Sequence, residues 1–354
     1  MSTKAGAKRS RSAALRVVHT IGYGSRVCSQ RLLHIARTVL LLLLPFGAGA
    51  QPAAWLPAKP VEMLVGVSPG GGIDRTARTL QKIMQDKRLV PTPVNVVNKP
   101  GGGGTIAQAY LSQRGGDAHY FELTATSLLT NHILGRSAAG HRDYTPVVLL
   151  YDEYLGFAVA ADSPIRDGRQ LLEALKNPDS LPIGIATTAG NTNHIAAAIV
   201  AKTAGANPRR LKVVVFNSGG ESMTALLGGH VGLVVTPSAN LIPHMQSGRM
   251  RVLGISAPKR VAGALAAVPT WQEQGTDAVV ANWRAVIGAK GWSPAQIAYW
   301  DGVFSNIVAS DEWQSEVSRT GGVPHFMTSA ALGAYFDSEY ARFRTILTDL
   351  GLAK

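Results

Sequence analysis

The chain has 354 residues, enough for two domains and a sizeable core. Its formal charge of +13 is concentrated at the start, where residues 1–50 hold eight basic residues (Lys4, Lys8, Arg9, Arg11, Arg16, Arg26, Arg31 and Arg37) and no acidic one. Setting those aside leaves a modest excess of Lys+Arg over 22 Asp+Glu, which argues against the clustered basic surface of a nucleic-acid-binding domain.

Arg31 and Arg37 precede an apolar run, Val39–Phe46, and then Gly47-Ala48-Gly49-Ala50. This order reads as an export signal cleaved near Ala50, with Gln51 as the first mature residue. The run is shorter than the roughly 20 apolar residues of a membrane span. Cys28 is the one cysteine and lies ahead of the run. The mature chain is therefore expected to carry neither disulfide nor thiol chemistry, and the periplasm is the expected compartment.

Val61–Val67 has the β-branched, apolar make-up of a buried strand. Ser68-Pro69-Gly70-Gly71-Gly72-Ile73-Asp74 follows: a proline to end the ladder, glycines to turn, and an aspartate to cap a helix over Asp74–Arg88. Such a turn aims backbone N–H groups and a positive helix end at one spot, and so suits an anion; a plain strand-to-helix turn is the competing reading. Further along, Pro93–Asn98 and Tyr120–Thr126 read as strands, with a second glycine turn at Gly101–Gly104 and a helix after it. Val147–Ala161 is longer than one strand needs and reads as a strand plus a crossing into a second lobe. There the βα order repeats: strands at Leu181–Ala186, Lys212–Phe216, Val231–Thr236 and Arg251–Ser256 alternate with helices at Asn193–Ala204, Gly220–Leu227 and Ser238–Gln246. Ala278–Ala289 would cross back, and the remainder reads as helical, over Pro294–Ala309, Asp311–Thr320 and Ser329–Leu350. The expectation is an α/β protein of two lobes, each a doubly wound, mainly parallel sheet, with a cleft at the carboxyl ends of the strands. Residues 58–158 with 284–354 would form one lobe and 159–283 the other.

The chain has no phosphate-binding G-x-x-x-x-G-K-[ST], no G-x-S-x-G and no H-E-x-x-H, so no catalytic residue, metal or cofactor is expected. Gly102–Ala107 does fit G-x-G-x-x-[GA], with Glu122 about 20 residues on, which keeps an exported dinucleotide enzyme as the alternative. Against it, Pro100 separates strand from turn and Glu122 lies early in its strand. A second turn, Thr187–His194, repeats the logic of the first, with small and hydroxyl residues ahead of a helix start. Opposed turns on two lobes would grip a carboxylate; ordinary capping by Asn191 and Thr192 competes with this. His194 reads as a packed or cleft-edge histidine rather than a titrating catalyst. Asp74 reads chiefly as a cap facing its own helix amides, with a ligand contact as the other possibility.

Pro69–Asp74, Asn98–Gly104, Asp143–Val147, Ala189–His194, Leu226–Gly229, Ile242-Pro243-His244 and Val268-Pro269-Thr270 follow in order. From Val61 onward this set resembles the Bug/TctC family of periplasmic solute receptors of tripartite tricarboxylate transport. The resemblance implies a two-lobe type II periplasmic binding fold and a monomer that captures a small organic acid. It also implies delivery to membrane transporter subunits or a membrane sensor. The ligand-binding positions it implies are Ser68, Pro69, Gly70, Gly71, Gly72 and Asp74 in the first turn and Thr126 and Ser127 in a further cleft-lining turn after the third strand. In the second lobe they are Ala189, Gly190, Asn191, Thr192, His194, Ser218, Gly219 and Thr236. The chain departs from relatives at His132, at Phe216 (tyrosine in many), at Thr236 (aspartate in many) and at Arg284-Ala285. Loss of an acid at Thr236 and a cation at Arg284 would both favour an anionic ligand.

Overall fold

The computed structural model describes residues 54–354 other than Asn217. The export signal and its cleavage near Ala50 lie outside the described residues. Among these, no helix is long and apolar enough to cross a membrane.

The chain opens with β1 (Val61–Val65), which is buried almost throughout. It runs through the glycine turn into α1 (Gly72–Asp86), whose Ala77, Leu80, Ile83 and Met84 face the sheet at helical spacing. Then come β2 (Val94–Asn98), α2 (Thr105–Ser112), β3 (Tyr120–Ala125), α3 (Ser127–Ile133), β4 (Tyr144–Asp152), β5 (Leu155–Ala160) and α4 (Gly168–Leu175). The second half holds β6 (Ile183–Ala186), α5 (Thr192–Thr203), β7 (Val213–Phe216), α6 (Gly219–Leu227), β8 (Leu233–Pro237), α7 (Ser238–Gln246) and β9 (Met250–Ile255). The last elements are β10 (Arg284–Ala289), α8 (Pro294–Val308), α9 (Asp311–Arg319), β11 (Val323–Thr328) and α10 (Ser329–Asp349).

The strands form two sheets of matching plan. The first runs β11-β4-β10-β3-β1-β2 and the second β7-β6-β8-β5-β9. β1 pairs in parallel with β2 and β3, as β6 does with β7 and β8. One strand arriving from the other half of the chain completes each sheet antiparallel: β10 between β3 and β4, β5 between β8 and β9. This is the expected two-lobe α/β fold, with the parallel pairs confined to the βα units. The two crossings lie side by side. The Asn282 N–H donates to the Glu153 carbonyl at 2.7 Å, and Tyr154 and Ala281 form an antiparallel bridge.

Three expectations need correction. β5 pairs wholly within the second sheet, so the chain passes between sheets at Glu153–Tyr154, ahead of the division expected at 158/159. The C-terminal part is not all helical. After α9, Gly321 (φ +66°) turns the chain and β11 adds to β4 as an edge strand, where the missing N–H of Pro324 is tolerated. Ser127 opens a short helix, α3, rather than lying in a turn.

Candidate functional site

The two glycine turns are built alike. Gly70 (φ +84°) and Gly190 (φ +80°) both take the left-handed conformation that glycine adopts without strain. Gly71 N–H meets the Ser68 carbonyl and Asn191 N–H the Thr188 carbonyl, each at 3.4 Å. In each turn the glycine N–H is taken by the side chain four residues on: Gly70 by Asp74 Oδ2 at 2.8 Å, Gly190 by His194 Nδ1 at 3.0 Å. The expectation that these two glycines present their amides outward is therefore corrected: both N–H groups are spent holding the turn.

Asp74 is corrected too. The helix begins at Gly72, so Asp74 is its third residue and folds back over the turn instead of capping its own amides. It is 1% exposed, and besides Gly70 it accepts from Arg78 Nε at 2.9 Å and Asn98 Nδ2 at 2.8 Å. Burial alone would raise its pKa, but those donors outweigh burial and hold the carboxyl below its usual value. On the other turn, burial pushes the His194 imidazole down to about 4, so it is neutral and accepts through Nδ1. In α5 the cap is Asn191, whose Oδ1 accepts from His194 N–H at 3.1 Å.

At the carboxyl ends of the strands lies a cavity of about 180 Å³. From the first sheet and its helices it is lined by Val67, Ile73, Gly103, Ala125, Thr126, Ser127, Thr130 and Asn131. From the second it takes Ala186, Thr187, Thr188, Asn191, Thr192, Asn193, Gly219, Thr236, Pro237 and Asn240, with Asn282 contributed by the return crossing. Of the residues expected at the site, Thr126, Ser127, Asn191, Thr192, Gly219 and Thr236 meet in this wall. The first turn reaches it only through Val67 and Ile73; Ser68, Pro69, Gly70 and Gly72 are exposed and Gly71 is partly so. Ala189, Gly190 and His194 belong to the second turn and are not among the residues that line the cavity. Ser218 caps α6 by accepting from Glu221 N–H at 3.2 Å.

Among the wall's other residues, Gly103, Thr130, Asn131, Asn193, Asn240 and Asn282 had not been assigned to the site from the sequence. Asn193 and Asn240 belong to the first turns of helices that follow strands, a position that would have flagged them. Asn282 sits in a coil and had no such signal; it accepts from the Thr126 hydroxyl at 2.9 Å.

None of the cavity-lining residues carries a charged side chain. The cation expected at Arg284 is accounted for otherwise. Arg284 is buried, ion-paired with buried Glu153, and donates to the Asn282 carbonyl at 2.9 Å. It borders a separate, smaller space with Gly72, Arg75, Tyr151 and Glu153. Burial pushes the Glu153 carboxyl up, and Arg284 opposes that push.

The two halves also touch directly around the second turn. Arg136 Nη2 donates to the Ala189 carbonyl at 2.8 Å, and a methyl placed on Gly190 would lie 2.9 Å from both Leu134 Cδ atoms. At the far end of α5, Lys202 Nζ pairs with Asp349 Oδ2 of α10 at 2.7 Å.

This arrangement agrees with comparison to known proteins. The model of the tripartite tricarboxylate transporter family receptor, TctC, matches residues 76–352. The chain belongs to this receptor family. A relative in Cupriavidus necator, the UPF0065 protein in the gbd 5′ region, is 26% identical over 324 residues, covering 90% of this chain and 95% of the relative. Among solved structures, Rhodopseudomonas palustris Rpa4515 with adipate superposes with a TM-score of 0.75 at 20% identity, over 84% of this chain and 99% of that one. MatC from the same organism, with bound malate, gives 0.71 at 19% identity, over 82% and 100%. At such identities these structures speak for the shared fold. TctC proteins are receptors, not enzymes, which removes the dinucleotide alternative. The structure gives the local reason: Glu122 is buried inside the first sheet between β1 and β10, out of reach of any ribose.

Proposed function

We propose that this protein is a periplasmic receptor that captures a small carboxylate in the cavity between the two lobes and passes it to a tripartite transporter or a membrane sensor. The observation that carries this reading is the cavity wall. It combines hydroxyls and amides with residues from the first turns of α1, α5, α6 and α7, and none of the lining side chains is charged. A helix N-terminus carries roughly half a positive charge, and water exclusion strengthens its hold on an anion. Thr130 and Thr192 line this cavity and are otherwise buried, 2% and 5% exposed. Adipate and malate in related folds support an acid of this size class.

Residues from about 54 to 152 with 284–354 act as one lobe and 155–280 as the other, hinged at the paired crossings. Ligand contacts made only when the lobes close set the closed population. A thermal-shift screen of small organic acids against NAD(P) tests the reading. A true ligand raises Tm with concentration as RT ln(1 + [L]/Kd) requires. Stabilisation by NAD(P) and by no acid would overturn it.

A further inference from the structure

Going beyond that reading, we infer that the smaller space beside Arg284 is a second anion site, one that seats a single halide ion between the two lobes.

The space measures about 20 Å³, room for one water-sized particle and too little for a carboxylate. Arg75 and Arg284 both border it. They converge on one spot: a methyl placed on Gly72 would lie 3.7 Å from Arg284 Nη2 and 3.9 Å from Arg75 Nη2. Two acids border the space as well, and each is engaged. Glu316 accepts from Arg319 through both carboxylate oxygens, at 2.8 Å each. Glu153 accepts from Arg284. Arg75 donates to the Gly70 carbonyl at 2.7 Å and forms no ion pair among the described residues. One positive charge beside the space is therefore left unmatched.

Two further features point to a guest. Arg284 is 4% exposed, yet its Nε has no partner among the described residues. A buried guanidinium N–H left open costs stability, which a bound acceptor restores. Ala239, from the first turn of α7, also borders the space, and that turn holds no acid. The first backbone N–H groups of a helix lack intrahelical acceptors and form its positive end. The first turn of α1 holds Asp74, which offsets its own helix end, so α1 acts here through Arg75. Trp313 and Val317 are apolar neighbours that reduce screening by water. A halide accepts from every donor it touches and is a single atom, which suits a small space with a surplus of one positive charge.

α7 lies in the opposite lobe from Arg75 and Arg284, so the seat is complete only while the lobes hold this arrangement. Halide and acid therefore raise one another's affinity by the same factor. That coupling rests on the receptor reading; the seat itself does not.

The mature protein is crystallised with sodium bromide for anomalous diffraction, and chloride line broadening is followed by NMR in solution. A bromide peak between Arg75, Arg284 and Ala239 is expected, with saturable broadening. Arg75→Gln should abolish both, and Arg75→Lys, which keeps the charge, should retain them. Arg75 is exposed on α1, so both variants should fold. The best acid from the thermal-shift screen is then titrated in sodium chloride and in sodium sulfate of equal ionic strength. Binding about fivefold tighter in chloride is expected, with the difference lost in Arg75→Gln. No bromide at this spot, or a peak with broadening unchanged in Arg75→Gln (an adventitious ion only), overturns the seat. Equal acid affinities in the two salts overturn its link to the lobes. Failure of every acid overturns the receptor reading and leaves the halide measurements to decide the seat.

Discussion

Arg284→Met separates a structural cation from a ligand-binding one. The side chain is 4% exposed, ion-paired with Glu153, and set outside the cavity wall. Removing it leaves the Glu153 carboxylate buried without a counter-charge, a loss of about 3–5 kcal/mol. At roughly 2 °C per kcal/mol for a chain of this size, Tm should fall by about 6–10 °C. Glu153 escapes part of this cost by taking a proton. Its folded pKa, already raised by burial, rises further without Arg284. A raised folded pKa gives stability that is present at low pH and lost as pH rises, so the penalty should be smaller at pH 5 than at pH 8. The double variant Glu153→Gln/Arg284→Met removes the stranded charge and should recover most of the loss. Urea denaturation of wild type, both single variants and the double, at the two pH values, gives the cycle. Wild-type stability in Arg284→Met together with weakened acid binding would refute the reasoning and return Arg284 to the ligand site.

Three other outcomes follow from particular contacts. Gly190→Ala adds a methyl 2.9 Å from Leu134 at φ +80°, whereas Gly205→Ala meets the same strain (φ +79°) with nothing within 4 Å; both lose about 1–2 kcal/mol to backbone strain, but only Gly190→Ala should also weaken acid binding, by about tenfold, and equal affinities in titration would remove Leu134 from lobe closure. The unfolded His194 takes a proton below its ordinary value of 6.5 while the folded ring resists until about 4, so stability should decline as pH falls through that window, by at most about 3 kcal/mol; His194→Gln, whose amide oxygen can still accept from Gly190, should flatten the urea-midpoint profile there, and an unchanged slope would count against a neutral His194. Burial holds the Glu122 carboxyl up at about 8 against an ordinary value of 4.5, with Thr124 opposing, so the folded state keeps its proton while the unfolded state ionises and stability falls as pH rises between those values; Glu122→Gln should gain stability relative to wild type as pH rises from about 4 to 8, and an unchanged difference in melting temperature across that range would disprove it.

Much of this architecture was legible because local chemistry and tertiary fold agree. The β-branched run Val61–Val65 and the glycines after it allow little but a buried strand and a tight turn, and the same pattern recurs at Ile183–Gly190. What stayed hidden was non-local. β11 carries a proline and pairs only with β4, some 170 residues earlier, so nothing in its own composition announces a strand. The partner of Arg284 is Glu153, 131 residues away, and without it the arginine looks like a free cation. Asp74 looks like a cap from spacing alone, since spacing cannot show that Gly70, Arg78 and Asn98 surround it. The cavity wall was half visible: Asn191, Thr192 and Thr236 follow strands, whereas Asn282 acquires its place only through the return crossing.

The central claim is capture of a small acid by the neutral wall around Thr130 and Thr192. Calorimetric titration of the best acid from the thermal-shift screen into wild type and into Thr130→Val/Thr192→Val tests it most directly. The substitutions preserve side-chain shape and remove the hydroxyls of two cavity-lining residues. The account predicts one site per chain in wild type and an affinity at least about tenfold weaker in the double variant, since each hydrogen bond to a charged group contributes about 1.5–3 kcal/mol. Undiminished binding in a folded double variant would contradict it.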